Sequence, residues 1–203
     1  MNDKFFTLDK QKQDRMINAA LKIFALRGYK LANTNDISAA ASISKGLLFH
    51  YFGNKKKLYL YLYRHSVAFV KEQMRAQMDL SETDFFLLMM NAQQIKTNIM
   101  NSYPYIFSFL LKAYYEQDAA VVDDIASYNV QTLDDNTALI LQKADRSKFR
   151  DDVTLEQALK LVVWCAEGFM RTKLHQEHFD VEEMNREFLQ CLQLLKRSFY
   201  KDE

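Results

Sequence analysis

Helix-breaking residues are scarce in this chain, and that scarcity limits the folds open to it. Only one proline and four glycines occur in 203 residues, and three of the glycines fall within the first 53. So few turn-forming residues leave little room for the many tight connections of a β protein. Apolar residues make up 49% of the chain, enough for a sizeable core. We therefore expect an all-α protein of about nine helices, short at the front and long behind.

Charge is distributed unevenly along the chain. Residues 1–60 carry nine lysines and two arginines against four aspartates, a net charge of +7. Residues 61–203 carry a net charge of −6, so the whole chain stands at only +1. A basic front on an acidic body indicates that the front alone meets a polyanion, although a solvated lysine-rich face would give the same pattern.

Several other classes of protein are disfavoured by the same sequence. It has no apolar run of membrane-spanning length and its start lacks the apolar segment of a signal peptide, so we expect a cytoplasmic protein. Cys165 and Cys191 are too few for a disulfide framework and are expected to be buried thiols. His175 and His178 have Glu177 between them but lack a second carboxylate in register, so no metal site is expected, and no cofactor is expected either. No nucleophile–base pair or phosphate loop appears, so we expect no enzyme.

The front of the chain reads as three short helices with recognisable ends. A helix over residues 10–27 stops at Gly28, which suits a left-handed cap. Thr34 is expected to be the N-cap of a second helix and Ser44 of a third, which ends at Gly53. Apolar residues recur at helical spacing in the first helix at Ile17, Ala20, Leu21 and Phe24. Longer helices are predicted over residues 55–78, 84–102, 104–117 (with Pro104 in the first turn), 119–144, 155–175 and 181–200.

The third helix carries apolar residues all round, which is unusual for a two-turn surface helix. Leu48 and Phe52 are four residues apart and share a face, so we place them inward with Ile43, against Ile37 and Phe24. Two short helices joined by a tight turn form a helix-turn-helix, whose second helix can enter the DNA major groove. The outward residues are then Lys45, Gly46, Leu47, Phe49 and His50.

The segment TNDISAAASISKGLLFHYFGNKKKL, together with the preceding INAALKIFALRGYKLANT, resembles the DNA-binding signature of the TetR-type bacterial transcription regulators. The resemblance covers residues 16–60. It implies a helix-turn-helix DNA-binding domain over residues 1–54 and a helical ligand-binding and dimerisation domain over residues 55–203. Three positions depart from the family pattern. Ser42 stands where glycine is common, at a cost of about 1 kcal/mol for the left-handed backbone; Gly53 replaces a frequent lysine; and Leu47 replaces a small or polar residue.

Roles in DNA binding follow from these residues and from the resemblance. Lys45 can reach a guanine edge or a phosphate, and Leu47 and Phe49 can touch thymine methyl groups. The resemblance places Tyr51 and Lys55 at phosphate contacts. The alternatives are that Phe49 packs on the fourth helix and that His50 is a surface residue without a contact to DNA. The candidate DNA-contacting residues are Thr34, Asn35, Ser44, Lys45, Gly46, Leu47, Phe49, His50, Tyr51 and Lys55.

The rest of the chain is rich in aromatic residues and methionines at helical spacing, which fit either an ordinary core or a ligand cavity. The resemblance implies a small-molecule cavity, and our candidates to line it are Phe86, Met90, Phe107, Tyr114 and Trp164. The polar residues Gln93, Asn98, Tyr128 and Glu167 form no diagnostic constellation, so the effector is defined only as partly apolar.

The resemblance also implies a homodimer through the last two long helices, over residues 155–175 and 181–200. The expected function is that of a homodimeric repressor, released from its DNA operator by a small, partly apolar ligand. Two alternatives stay open: a regulator or nucleoid-associated protein without an inducer, and an activator in place of a repressor.

Overall fold

The computed structural model describes residues 3–79, 81–132, 140–173 and 180–201. Within these ranges the chain is helical and has no β-strand, apart from one isolated bridge between Phe149 and Tyr200. Short 3-10 helices occupy Asp3–Phe5 and Arg146–Lys148. The all-α prediction is confirmed. The α-helices are α1 (Lys10–Leu31), α2 (Thr34–Ala40), α3 (Lys45–Phe52), α4 (Lys55–Gln77), α5 (Phe85–Ser102), α6 (Ile106–Tyr114), α7 (Val122–Thr132), α8 (Leu155–Lys173) and α9 (Val181–Phe199).

The helices group into two compact units. The first comprises Met1–Phe69 and Tyr103–Gln131, and the second Val70–Ser102 and Thr132–Glu203. Helices α6 and α7 therefore belong with the front helices, although they lie beyond residue 54 in the chain. A functional division at residue 54 stays a prediction, whereas the packing division puts these two helices with the front.

The first unit is built around the apolar face that the sequence predicts for α1. Ala20, Leu21 and Phe24 are at most 1% exposed. The Phe24 ring lies 4.8 Å from that of Tyr59 on α4 and 6.2 Å from that of Phe109 on α6. Burial of each large apolar side chain contributes about 1.5–3 kcal/mol. One aromatic cluster thus joins three helices that are far apart in the sequence.

Two helix boundaries near the front differ from the sequence prediction. Gly28 has the expected positive φ of 69°, but the helix assignment continues across this kink to Leu31. The N-cap of α2 is Asn33 rather than Thr34, since the Asn33 side chain accepts a hydrogen bond from the Asn35 amide. Thr34 was therefore wrongly predicted as the cap; it is the first helical residue. Both residues are good caps, and the extended backbone at Asn33 decides between them.

The prediction of Pro104 in the first turn of a helix is wrong as well. Tyr105 has non-helical backbone angles and occupies the N-cap position, so α6 begins only at Ile106. The predicted helix over residues 119–144 is described from Val122 to Thr132 and again at residues 140–143, and its middle lies outside the described residues. His175 and His178 lie outside them as well.

The core of the second unit forms where α5 meets α9. Phe85 and Phe86 are fully buried, and Leu192 of α9 is buried in the same cluster. The Phe85 and Phe149 ring centres are 5.6 Å apart. No helix among the described residues is long and apolar enough to cross a membrane.

Candidate nucleic-acid interface

The turn between α2 and α3 has the backbone that the sequence predicts. Ser42 adopts a φ of 53° and is the one non-glycine residue with positive φ in the described chain. The amide of Ile43 donates to the Ser38 carbonyl at 3.0 Å, which closes the turn. Arg15 of α1 donates from Nε to the Ala41 carbonyl at 2.9 Å. These bonds hold an unfavourable backbone conformation, and the part played by Arg15 was not visible in the sequence pattern.

The inward face of α3 anchors the helix on aromatic rings. Leu48 is fully buried and Phe52 is 2% exposed, as predicted. The Phe52 ring lies 4.9 Å from Phe5 and 5.5 Å from Tyr61 of α4. Sequence reasoning missed Phe5, whose only signal was an apolar Phe-Phe pair in an otherwise charged start. Helix α3 therefore packs both against Phe5, near the start of the chain, and against Tyr61 of α4.

Tyr51 belongs to this inward face more than to the outward one. It is 8% exposed, and its ring lies 5.9 Å from that of Phe5. Its predicted phosphate contact stays a prediction. The burial accounts for one of the apolar residues that seemed to crowd the outside of α3.

The outward face of α3 presents a single cation among uncharged groups. Lys45, Leu47 and His50 are exposed, while Phe49 is half-buried beneath Lys45, whose Nζ lies 5.9 Å from its ring centre. Around Gly46, a Cβ would meet only Ser44 Oγ, at 3.9 Å. The backbone there is open to close approach by another molecule.

The side chains that cap α2 and α3 belong to a candidate DNA-contacting residue or lie next to one in the sequence. Ser44 is confirmed as the N-cap of α3, because its Oγ accepts from the Leu47 amide at 3.1 Å. Asn35 is exposed at the start of α2 and Thr34 is half-buried. Ser44 therefore has a structural duty whatever it does toward a ligand.

The three consecutive lysines at the start of α4 are not equivalent. Lys55 donates to the Lys30 carbonyl at 3.1 Å, with its Nζ 4.9 Å from the ring centre of Tyr29. Burial lowers the pKa of Lys55, partly offset by the charge of Asp118. Lys56 pairs with Asp124 of α7 at 2.8 Å.

Lys57 is exposed and, unlike Lys55 and Lys56, makes no side-chain hydrogen bond or ion pair with the described residues. Its amide is bonded to Asn54 Oδ1 at 2.8 Å, so Asn54 caps α4. Its side chain lies against Gly53, which has a φ of 80° and ends α3 as predicted. Among the three, Lys57 has the ammonium group most available to a phosphate.

Side chains in α6 and just after it form hydrogen bonds with the backbone of α1 in the same unit. Lys112 Nζ donates to the carbonyls of Ala25 and Leu26, both at 3.0 Å. The Tyr29 amide donates to Glu116 Oε2 at 3.1 Å. Two charged side chains at one end of α6 thus satisfy backbone groups that the kink at Gly28 leaves without helical partners.

The five predicted ligand-contacting residues lie in different surroundings. Phe86 is fully buried in the second unit and Met90 packs half-buried against the same cluster. Phe107 is half-buried in the first unit, where Tyr114 is 47% exposed. Trp164 of α8 is 54% exposed. No single compact unit brings all five together, and their contact with a ligand stays a prediction.

A pocket of about 610 Å³ does open in the second unit, but none of the five predicted residues lines it. At its wall, Asp84 is only 5% exposed and accepts from Lys148 at 3.0 Å and from Lys196 at 3.4 Å. The Tyr200 hydroxyl and the Leu87 amide donate to its other oxygen, at 2.9 and 3.0 Å. The lining residues are Asp84, Lys148, Gln193, Lys196, Arg197, Tyr200 and Lys201.

The pKa of Asp84 reflects this network. Burial alone would raise it, but the hydrogen bonds from the Leu87 amide, Lys148 and Tyr200, and the charge of Lys196, outweigh burial and hold the pKa at about 2. The same carboxylate raises the pKa of Lys148. Asp84 is therefore ionised at neutral pH and stabilises the folded second unit.

The two last helices carry exposed apolar side chains and a pair of thiols. Leu161 and Val163 of α8 are 37% and 44% exposed, and Leu194 of α9 is 64% exposed. Cys165 and Cys191 are free and half-buried. Burial, followed by the neighbouring Cys165, raises the pKa of the Cys191 thiol. The thiols are thus less buried than predicted.

A short helix held by a tight turn on a helical support, with an exposed lysine and an open backbone, defines a helix-turn-helix DNA-binding domain. The sequence model described as "Bacterial regulatory proteins, tetR family" matches residues 16–62. Residues 16–62 therefore match the tetR family of bacterial regulatory proteins, as the resemblance predicted.

Similar proteins agree with this assignment. The transposon Tn10 TetC protein of Escherichia coli is 28% identical over 72 residues, 36% of each chain. The HTH-type transcriptional repressor AcnR of Corynebacterium efficiens is 37% identical over 60 residues, 30% of this chain and 32% of that protein. These matches span only about a third of the length of the curated relatives.

One solved structure extends the likeness of fold to the whole chain. A TetR family transcriptional regulator from Chloroflexus aurantiacus has a TM-score of 0.65 at 20% identity, with 99% of both chains covered. At that identity the likeness concerns the fold alone, including the divergent helices after residue 62.

Proposed function

We propose that this chain is a cytoplasmic, homodimeric transcriptional repressor that binds an operator through α3 and releases it when a small, partly apolar ligand binds. The observation that carries the proposal is the outward face of α3. Lys45, Leu47 and the open backbone at Gly46 stand on a helix whose other face is fixed by buried Leu48 and Phe52. In a major groove, such a face would present a charged donor and an apolar side chain to the edges of the bases.

The charge of the front supports binding to DNA in general. Residues 1–60 carry a net charge of +7, and Lys57 has no partner among the described residues. Phosphate contacts position a protein on DNA, whereas base contacts specify the sequence. In this proposal Lys57 serves the first purpose and Lys45 the second.

Dimerisation is supported by the exposed apolar surface of α8 and α9. Trp164 and Leu194 are 54% and 64% exposed in the single chain, and exposed apolar surface of this kind is typical of sites that bind another protein. A twofold dimer would set two α3 helices about one DNA turn, roughly 34–36 Å, apart.

Release by a ligand requires that the ligand favour one arrangement of the dimer over the other. Helix α4 is the element we propose for this coupling, because residues 55–69 pack in the first unit and residues 70–77 in the second. A ligand that tilts α4 would change the spacing of the two α3 helices. The hydrogen bonds that Lys112 and Glu116 form with the backbone of α1 would transmit the same movement to the front helices.

The decisive experiment for this function is genome-wide mapping of the DNA bound by the protein in its host. We expect a small number of discrete sites with two related half-sites about one helical turn apart. Broad coverage without a common sequence would contradict the proposal and favour the nucleoid-associated alternative. The genes next to the bound sites then indicate the class of ligand and whether transcription falls or rises.

The existence of an inducer is tested separately, by thermal unfolding of the purified dimer against a library of apolar and amphipathic compounds. A compound that raises the unfolding temperature and lowers operator affinity is the expected result. If no stabilising compound affects operator binding, the regulator without an inducer becomes the better description.

A further inference from the structure

The pocket beside Asp84 has a charge arrangement that the proposed regulator function does not explain. Four of its seven lining side chains are cationic and only Asp84 is anionic. Asp84 already accepts bonds from a backbone amide, a tyrosine hydroxyl and two lysines. Its bonding capacity is filled, so it cannot neutralise the remaining cations.

Carboxylates outside the pocket balance two of the cations. Lys201 pairs with Asp151 at 3.0 Å, and Asp145 and Glu82 lie close enough to Lys148 to add to the effect of Asp84. No such carboxylate accompanies Arg197, which is exposed and makes no hydrogen bond or ion pair with any described residue. Gln193 makes none within the described chain either.

The donors that remain lie on one face of α9. A spacing of i, i+3 and i+4 puts side chains on the same face of a helix. Gln193, Lys196 and Arg197 have this spacing, and all three line the pocket. Lys196 donates one hydrogen bond to Asp84, and the other N–H groups of its ammonium remain available. A guanidinium fork, an ammonium and an amide directed at one space are the groups that bind phosphate and carboxylate oxygens.

We propose that this pocket binds the oxyanion group of a small molecule, a phosphate or a carboxylate, with Arg197 as its principal donor and Lys196 and Gln193 beside it. None of its lining residues belongs to α3 or to the five residues predicted to contact an apolar effector, although the Phe86 ring lies 5.2 Å from that of Tyr200. The bound anion offsets the repulsion between Lys196 and Arg197, and therefore stabilises the junction of α9 with the start of α5.

The test is thermal unfolding of the full chain in increasing inorganic phosphate or succinate, at ionic strength held constant with chloride. Wild type is expected to gain stability along a saturable curve that yields an apparent Kd. Arg197→Gln is expected to weaken that Kd by about tenfold or more, because a charge-assisted bond is lost. Arg197 has no partner among the described residues, so this variant should fold normally.

Arg186→Gln is the matched control, since it removes an exposed arginine from the same helix outside the pocket. It is expected to keep the wild-type Kd. A stronger response to phosphate assigns a phosphorylated ligand, and a stronger response to succinate a carboxylate. The proposal is overturned if chloride gives the same stabilisation, or if the two arginine variants respond alike. Neither outcome bears on DNA binding.

Discussion

The two compact units differ in the kind of surface that each of them exposes. In the first, the exposed face of α3 is small, basic and supported from behind by Phe5, Leu48 and Phe52. In the second, the exposed features include several large apolar side chains on α8 and α9 and a cationic pocket at Asp84. In our proposal the first surface binds DNA, whereas the second unit provides the surface for a second copy and a pocket for a small molecule.

The largest effect is expected at the apolar surface of the second unit. Leu194→Glu should weaken dimerisation by on the order of a hundredfold, because it places an unpaired charge in a dry interface. Sedimentation equilibrium measures this, and DNA affinity should fall with it. Leu87→Glu is the control, since Leu87 is 43% exposed on α5 of the same unit. Equal dissociation of both variants, or of neither, would remove α9 from the proposed interface.

The next effect concerns the stability of the second unit. The pKa of Asp84 is lowered from 3.8 to about 2, so its ionised form contributes about 2 kcal/mol above pH 4. This contribution falls as pH drops from about 4 toward 2. Asp84→Asn should lose it at pH 7 while keeping a side-chain oxygen that accepts from the Leu87 amide, and urea unfolding at several pH values measures the difference.

Asp180→Asn supplies the control for that experiment, because Asp180 caps α9 from an exposed position and has no lysine partner among the residues that the structure describes. It should change the free energy of unfolding by less than about 0.5 kcal/mol. A wild-type difference from Asp84→Asn that stays constant down to pH 2 would disprove the role given to the ionised carboxylate.

A smaller effect is expected at the turn of the first unit. Ser42 has a φ of 53°, so Ser42→Gly should stabilise the fold by up to about 1 kcal/mol. Ala39→Gly in helix α2 should destabilise it by a similar amount. Thermal unfolding compares the two, and opposite signs are required. A destabilised Ser42→Gly variant would mean that the serine side chain matters more than the backbone.

The smallest effect separates two of the three lysines at the start of α4. Lys57→Ala should weaken binding to every DNA sequence modestly and reduce the slope of log affinity against log salt by about one. Lys56→Ala should change that slope less, because Lys56 pairs with Asp124. Fluorescence anisotropy over a range of salt concentrations gives both slopes, and a larger change for Lys56 would reverse the assignment.

The first unit was more predictable from sequence than the second because its signals are local. The cap at Ser44, the positive φ of Ser42 and the stop at Gly53 each depend on a few neighbouring residues. The choice between Asn33 and Thr34 as cap failed because both side chains suit the position, and only the backbone angles distinguish them.

The second unit resisted prediction because its contacts join distant parts of the chain. Asp84 meets Lys148, Lys196 and Tyr200, which follow it by 64, 112 and 116 residues. No periodic pattern marks such a meeting. The aromatic residues proposed for a ligand cavity showed the opposite problem, since helical spacing places Phe86 and Trp164 equally well in a core or on a surface. Phe86 is fully buried and Trp164 is 54% exposed.

The central claim is that the exposed face of α3 reads DNA sequence, and Lys45 tests it most directly. Titration of a labelled operator duplex and a scrambled duplex should show that Lys45→Ala weakens operator binding by roughly tenfold to a hundredfold. Binding to the scrambled duplex should change little, and Arg27→Ala, which removes an exposed charge from α1, should leave the preference for the operator intact. Unchanged discrimination between the two duplexes by Lys45→Ala would contradict the claim.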